Sequence, residues 1–180
     1  MKYFILDDVL PKKFVDYVEN KFINFPYYYV RNISDINSNE YMPGFSHQIA
    51  DFYRNKGVIG DGFDLVQLLL YTFAQRTPIV PNNILQSRLF LQLPTVRETI
   101  SNLPHRDVEI DHMVFLYYVF DSDGPTVLYD KTSRYDYEQN VLISIEPKKG
   151  RGVFFNGKYY HNSSSPTTKS TRLILNVDFT

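Results

Sequence analysis

The sequence predicts an α+β chain that is mainly β: a double-sheet jelly roll buttressed by helices near the N-terminus. Two observations lead there. Apolar residues recur with a helical period only before residue 80, and from residue 84 the period changes to two. Helices that come first and strands that come later, without alternation, argue against a doubly wound parallel sheet. No glycine-rich phosphate-binding fingerprint is present either.

The elements follow in order. Residues 3–6 form a short apolar strand, and Pro11 then sits where its fixed φ suits the start of a helix. Phe14, Val15, Val18 and Phe22 give that helix one apolar face. A second helix fits 63–76, with Phe63, Val66, Leu70 and Phe73 in one stripe and Leu69 beside it. Both helices are expected to back a sheet. In the strand that begins at 84, Leu89, Leu91 and Leu93 share one face while Arg88, Phe90 and Gln92 share the other. Further strands are expected at 112–120, 125–129, 140–145, 151–155 and 171–179, separated by Asp-Ser-Asp-Gly, Pro-Lys-Lys-Gly and Asn-Gly breaks. Many short strands of this kind make a sandwich or barrel.

The chain has 180 residues without repeats or low-complexity tracts, and its prolines and glycines are scattered. One domain over 1–180 is expected, with 1–80 as a helical buttress with short strands and 84–180 as the jelly-roll core. Nineteen basic against twenty acidic side chains leave a net charge of −1, so no global field draws the protein to nucleic acid. Cysteine is absent, which excludes disulfides, thiolate metal sites and cysteine nucleophiles together. Any metal must therefore use histidine and carboxylate ligands. The apolar stretch at the N-terminus is too short for a signal peptide, and Leu65 to Ala74 is too short for a membrane span. A cytoplasmic protein that does not enter membranes is expected.

Chemistry is carried first by His105-Arg106-Asp107. Residues i and i+2 of a strand point to one face, so this pair can put an imidazole nitrogen and a carboxylate oxygen on one ion. A second block, Gly152 through His161, reads as strand, turn and histidine. A ligand from that distant strand would complete a two-histidine, one-carboxylate set, which leaves coordination positions open on Fe(II) for a chelating co-substrate and O2. A 2-oxo acid would need a fixed cation for its distal carboxylate, ideally a guanidinium. Arg172 opens the last strand and shares a face with Ile174 and Asn176. After the polar reversal at 162–170, His161 and Arg172 are expected on neighbouring antiparallel strands that face one cavity.

On these segments, together with Phe45-Ser-His47, Val114 through Gly124, Pro147 through Gly157, and His161 through Arg172, the sequence resembles the Fe(II)- and 2-oxoglutarate-dependent dioxygenases. Within them it looks like the short prolyl-4-hydroxylase-like proteins common in phages and bacteria. The resemblance implies a double-stranded β-helix core, iron bound by His105, Asp107 and His161, and the distal carboxylate of 2-oxoglutarate on Arg172. It also matches Tyr118 to a tyrosine that assists that carboxylate. The implied activity is hydroxylation of an unidentified substrate, peptidyl proline in the first instance, with release of succinate and CO2. Many prolyl hydroxylases have a tyrosine eight to ten residues before the first metal histidine; here that stretch reads Thr95-Val96-Arg97, with Phe90 further back.

Competing readings attach to the same residues. Lys169 is a rival cation for Arg172, and Tyr118 has packing as its bland alternative. His47 and His112 lack a carboxylate at ligand spacing and are expected to be structural or exposed. Lys148, Lys149, Arg151 and Lys158 read as a solvated basic face. Phe25-Pro-Tyr-Tyr-Tyr29 and Arg134-Tyr-Asp-Tyr137 are aromatic segments suited to packing or to stacking on a substrate. The alternative function class is a catalytically inactive jelly-roll binding or structural module.

Overall fold

The computed structural model describes residues 2–33, 43–94, 103–130, 140–167 and 171–180. Its elements are β1 (Tyr3–Leu6), α1 (Lys12–Ile23), β2 (Tyr28–Val30), β3 (Gly44–Asp51), β4 (Gly57–Val58), α2 (Phe63–Ala74), β5 (Ile84–Gln92), β6 (Met113–Tyr118), β7 (Thr126–Tyr129), β8 (Val141–Ile145), β9 (Gly152–Asn156), β10 (His161–Ser163) and β11 (Arg172–Phe179). The pairings are antiparallel and make two sheets. The large sheet runs β1-β9-β6-β11-β5-β3-β2, with β4 on β3, and the small one runs β10-β7-β8. This is the expected jelly roll.

Strand alternation divides the apolar residues between two cores. On one face of the large sheet, Leu89, Phe115, Tyr117, Phe154, Leu173, Leu175, Val177 and Phe179 pack with Val18 and Phe22 of α1 and Val66, Leu69, Leu70 and Phe73 of α2. On the other face, Val114, Leu116, Tyr118, Val153, Phe155 and Ile174 meet Leu128 and Ile145 of the small sheet. Each side chain fully buried in this way contributes about 1.5–3 kcal/mol. The helices can lie this close because β9 opens on Gly152, where a Cβ would come within 2.3 Å of the Phe73 ring.

Both helices form where the apolar stripes place them. α1 starts directly after Pro11, whose carbonyl accepts from the amides of Phe14 and Val15 at 2.8 and 3.1 Å. Gly62, at φ 96°, turns the chain into α2.

Three differences from the sequence reading have physical causes. Residues 1–80 hold short strands beside both helices, as expected, but β3 is eight residues long and a full member of the large sheet between β2 and β5. Its pattern hides because the β3–β5 register shifts between Gln48 and Ala50, so Ile49, Ala50 and Asp51 are all buried and alternation fails. The short strand β10 begins at the histidine itself and is stabilised by partners distant in sequence. Finally, His161 and Arg172 are not on neighbouring strands. β10 belongs to the small sheet and β11 to the centre of the large one, so the two residues approach the cavity from opposite walls.

Candidate metal centre

The connection from β5 to β6 returns to the small sheet at His105. Its amide donates to the His161 carbonyl at 2.9 Å, and the His161 amide donates back to the His105 carbonyl at 3.0 Å. This two-bond bridge holds the imidazole centroids 4.7 Å apart. Asp107, two residues on, directs its carboxylate between them: His161 Nε2 lies 3.3 Å from Oδ2 and His105 Nε2 lies 3.8 Å from Oδ1. One ligand atom from each of the three residues lies within 4.8 Å of the others.

The chemistry of these donors suits a divalent ion. His105 Nδ1 is 3.0 Å from the Leu103 carbonyl, so that nitrogen donates its proton and Nε2 is left with a lone pair. Burial and the neighbouring His161 push the His105 imidazole down to about 4, which keeps it neutral, as a ligand must be. Burial opposes ionisation of Asp107, yet His161 and Arg88 hold its carboxyl well below the usual range. The carboxylate is itself fixed: Arg88 Nη2 donates to Oδ1 at 2.9 Å and Asn176 Nδ2 donates to Oδ2 at 3.2 Å. Arg88 and Asn176 face each other across β5 and β11.

The same cavity continues between the sheets past Phe90, Leu116 and Ile174 to Arg172. Arg172 is 1% exposed, and its partners are neutral oxygens: Nε donates to the Gly124 carbonyl at 2.9 Å, Nη1 to Gln92 Oε1 at 2.9 Å, and Nη2 to Thr126 Oγ1 at 2.8 Å. Among the described residues no carboxylate pairs with it. A buried guanidinium without a counter-charge among the described residues is expensive to maintain, and an anion entering the cavity could supply one. Gly124 is required for this arrangement, because a Cβ there would stand 2.4 Å from the Ser164 carbonyl oxygen and 3.2 Å from Arg172 Cδ.

Tyr118 is fully buried and its hydroxyl donates to Thr126 Oγ1 at 2.7 Å. It supports Arg172 through that threonine and by its own hydroxyl, which interacts directly with the guanidinium 6.0 Å from its ring centroid, and it is not among the residues that line the cavity. Tyr117 faces the helices, as strand alternation requires.

Behind His105, Asp107 and His161 lies a second polar layer. Asp178 Oδ2 accepts from Gln86 Nε2 at 2.6 Å, and burial followed by the charge on Asp107 drives its carboxyl well above the ordinary range. His112 is buried, with Nδ1 2.7 Å from the Ile110 carbonyl and Nε2 3.9 Å from Asp178 Oδ1. His47 is also buried, its ring nitrogens 2.9 and 3.1 Å from the carbonyls of Pro26 and Asp61, so it ties the α1–β2 and β4–α2 connections together. Three of the four basic side chains are tied to α1 and its approach, while Lys158 lies over the Tyr159 ring. Arg151 and Lys148 pair with Asp7, and Lys149 pairs with Asp16 and Glu19.

Sequence reasoning missed Arg88, Gln92, Gly124 and Thr126 as parts of the site. For the first two a signal existed: polar groups alternate with Phe90 on a strand whose other face is leucine. Nothing local marks Gly124 or Thr126. Thr95, Val96, Arg97, Arg134 through Tyr137, and Lys169 lie outside the described residues. No helix among the described residues is long and apolar enough to cross a membrane.

No protein-family model matches the sequence, and no curated protein matches it. Solved structures do match. A 2OG-Fe(II) oxygenase family oxidoreductase from Burkholderia pseudomallei superposes with a TM-score of 0.72 at 12% identity, over 99% of this chain and 85% of that one. The non-haem α-ketoglutarate-dependent carbocyclase SnoK of nogalamycin biosynthesis gives 0.66 at 14% identity, over 99% and 79%. A prolyl hydroxylase from Trichoplax adhaerens, solved in complex with a hypoxia inducible factor oxygen degradation domain peptide fragment, gives 0.64 at 12% identity, over 99% and 83%. The chain thus has the double-stranded β-helix fold of the 2-oxoglutarate and iron(II) oxygenases, which is the fold its own motifs resemble.

Proposed function

We propose that the chain is an Fe(II)- and 2-oxoglutarate-dependent oxygenase, with residues 1–180 acting as one domain. The observation that carries this reading is a single cavity with His105, Asp107 and His161 at one end and, at the other, a buried Arg172 that has no carboxylate partner among the described residues. His105, Asp107 and His161 would hold the iron through two imidazole nitrogens and a carboxylate oxygen. When bound, iron and 2-oxoglutarate supply the oxidising chemistry with O2, and succinate and CO2 leave.

The protein's part is binding, orientation and exclusion of water. Asn176, which touches Asp107, and Arg172 stand four residues apart on one face of β11, roughly 13 Å of strand. Side chains that converge into the cavity from both positions suit a short dicarboxylate held at its two ends. Gln92, Thr126 and the Gly124 carbonyl fix the Arg172 fork in advance, so little rotamer freedom is lost on binding. Tyr118 acts behind Thr126 as a positioning residue.

The prime substrate is an organic C–H compound that reaches a mostly apolar cavity lined by Ile33, Phe90, Leu116 and Ile174. Peptidyl proline is the first class to test, supported by the family resemblance and by a prolyl hydroxylase among the structural neighbours. A carbocyclase shares the fold too, so the fold alone does not choose the substrate.

The test is anaerobic addition of Fe(II) and then 2-oxoglutarate to the purified apoprotein, read by the visible charge-transfer absorption of the chelate. The band is expected in the native protein and is lost in His161→Ala. Metal binding without the band would overturn the co-substrate assignment. No metal binding at all would favour an inactive jelly-roll module.

A further inference from the structure

Beside the proposed metal end of the cavity, against Asp107, stands a cation that the three ligands do not require. Arg88 rises from β5 beside Asp107, with Nη2 2.9 Å from Oδ1, its side chain 20% exposed and the carboxylate 3% exposed. Its Nε is buried and has no hydrogen-bond partner among the described residues. The guanidinium carbon lies 4.9 Å from the centroid of Phe90, which lines the cavity two residues along the same strand face. Among the described residues Arg88 is therefore held by the Asp107 carboxylate and the Phe90 ring, with the buried Asp178 carboxyl also in its field, and the Asn176 amide would still hold Asp107 without it.

A fixed unit charge beside a ligand acts on everything that binds there. With Arg88 in place, Asp107 and Arg88 together present no net charge to a divalent ion, where an unpaired aspartate would present one negative charge. We propose that Arg88 is a positioning residue for Asp107 that also sets the charge of the metal centre, lowering its affinity for the divalent ion and raising it for the anionic co-substrate. The assignment rests on the oxygenase reading above. An opposite charge within about 4–6 Å of a titrating group shifts its proton affinity by one to three decades, and the same field acts on a metal ion and on a dicarboxylate with opposite signs.

Removal of the charge should therefore move two affinities in opposite directions. A purely structural residue would lower both. The experiment titrates purified apoprotein with Co(II), followed by visible absorption, and then titrates the Co(II)-loaded protein with 2-oxoglutarate by calorimetry. In Arg88→Gln, Co(II) is expected to bind about tenfold more tightly and 2-oxoglutarate about tenfold more weakly than in the native protein. Arg88→Lys keeps the charge and is expected to leave both affinities within about threefold of native, which also covers a Gln variant that folds poorly.

Loss of both affinities in Arg88→Gln, with a folded far-ultraviolet spectrum, would overturn the charge assignment. So would a Lys variant that behaves like the Gln variant, or no change in either affinity. Failure of the native protein to bind Co(II) would instead overturn the oxygenase reading itself.

Discussion

The two faces of β11 share one backbone and complete burial, yet they do opposite work. Leu173, Leu175, Val177 and Phe179 point to the helices and are covered by apolar side chains. Arg172, Ile174, Asn176 and Asp178 point between the sheets, and three of those four are polar. The first face gains free energy from apolar burial. The second gives some of it back, because a guanidinium and a carboxyl are removed from water without a full set of charged partners. A strand in the middle of a sheet can carry both because its neighbours β5 and β6 satisfy its backbone on either side.

The largest effect on stability should come from the apolar face. Leu175→Ala is expected to lower the unfolding free energy by about 2–5 kcal/mol, measured by urea denaturation, through loss of transfer energy and a cavity under α2. Its cavity face is untouched, so affinity for 2-oxoglutarate should be near native in the folded fraction. A larger loss of co-substrate affinity than of stability would dissolve the distinction between the faces.

Arg172→Gln tests the other face. Affinity for 2-oxoglutarate should fall by about 100-fold, in line with removal of one member of a buried charged contact. Co(II) binding at the His105, Asp107 and His161 end should persist, since none of these three residues bonds to Arg172. Equal loss of both ligands would mean that the two ends of the cavity are not separable.

The smallest and most pH-dependent effect belongs to Asp178. Its carboxyl is raised in the folded protein, so above the ordinary aspartate value the unfolded chain ionises while the folded chain keeps its proton. Stability is then lost as pH rises from that value towards the folded one. Asp178→Asn should remove the loss. The metal-free variant is expected to be more stable than the native chain at neutral pH, with the difference vanishing as pH falls towards about 4, the ordinary aspartate value. Thermal unfolding across that range would check it, and a pH-independent difference would show that Asp178 is ionised in the fold.

Much of this architecture was legible in the sequence. The leucines of β5 and the alternation in β11 marked strands because one face of each is uniformly apolar. His105, Asp107, His161 and Arg172 stood out by residue type and spacing, and they do share one cavity. The arrangement of walls was not legible. Which strand pairs with which is fixed by contacts distant in sequence, so His161 and Arg172 are expected on neighbouring antiparallel strands when β10 and β11 in fact belong to different sheets. The supporting groups were hidden for a similar reason: Thr126 and Gly124 are ordinary in their own segment, and only Arg172, 46 and 48 residues away, gives them a role.

The backbone bridge between His105 and His161 has one further consequence. Because the two histidines exchange amide hydrogen bonds, their separation is set by sheet geometry and not by the length of chain that leads to either. Residues inserted or deleted ahead of Leu103 would alter the route from β5 while the ligands kept their spacing. Such a site can tolerate changes in the length of the connection that precedes it.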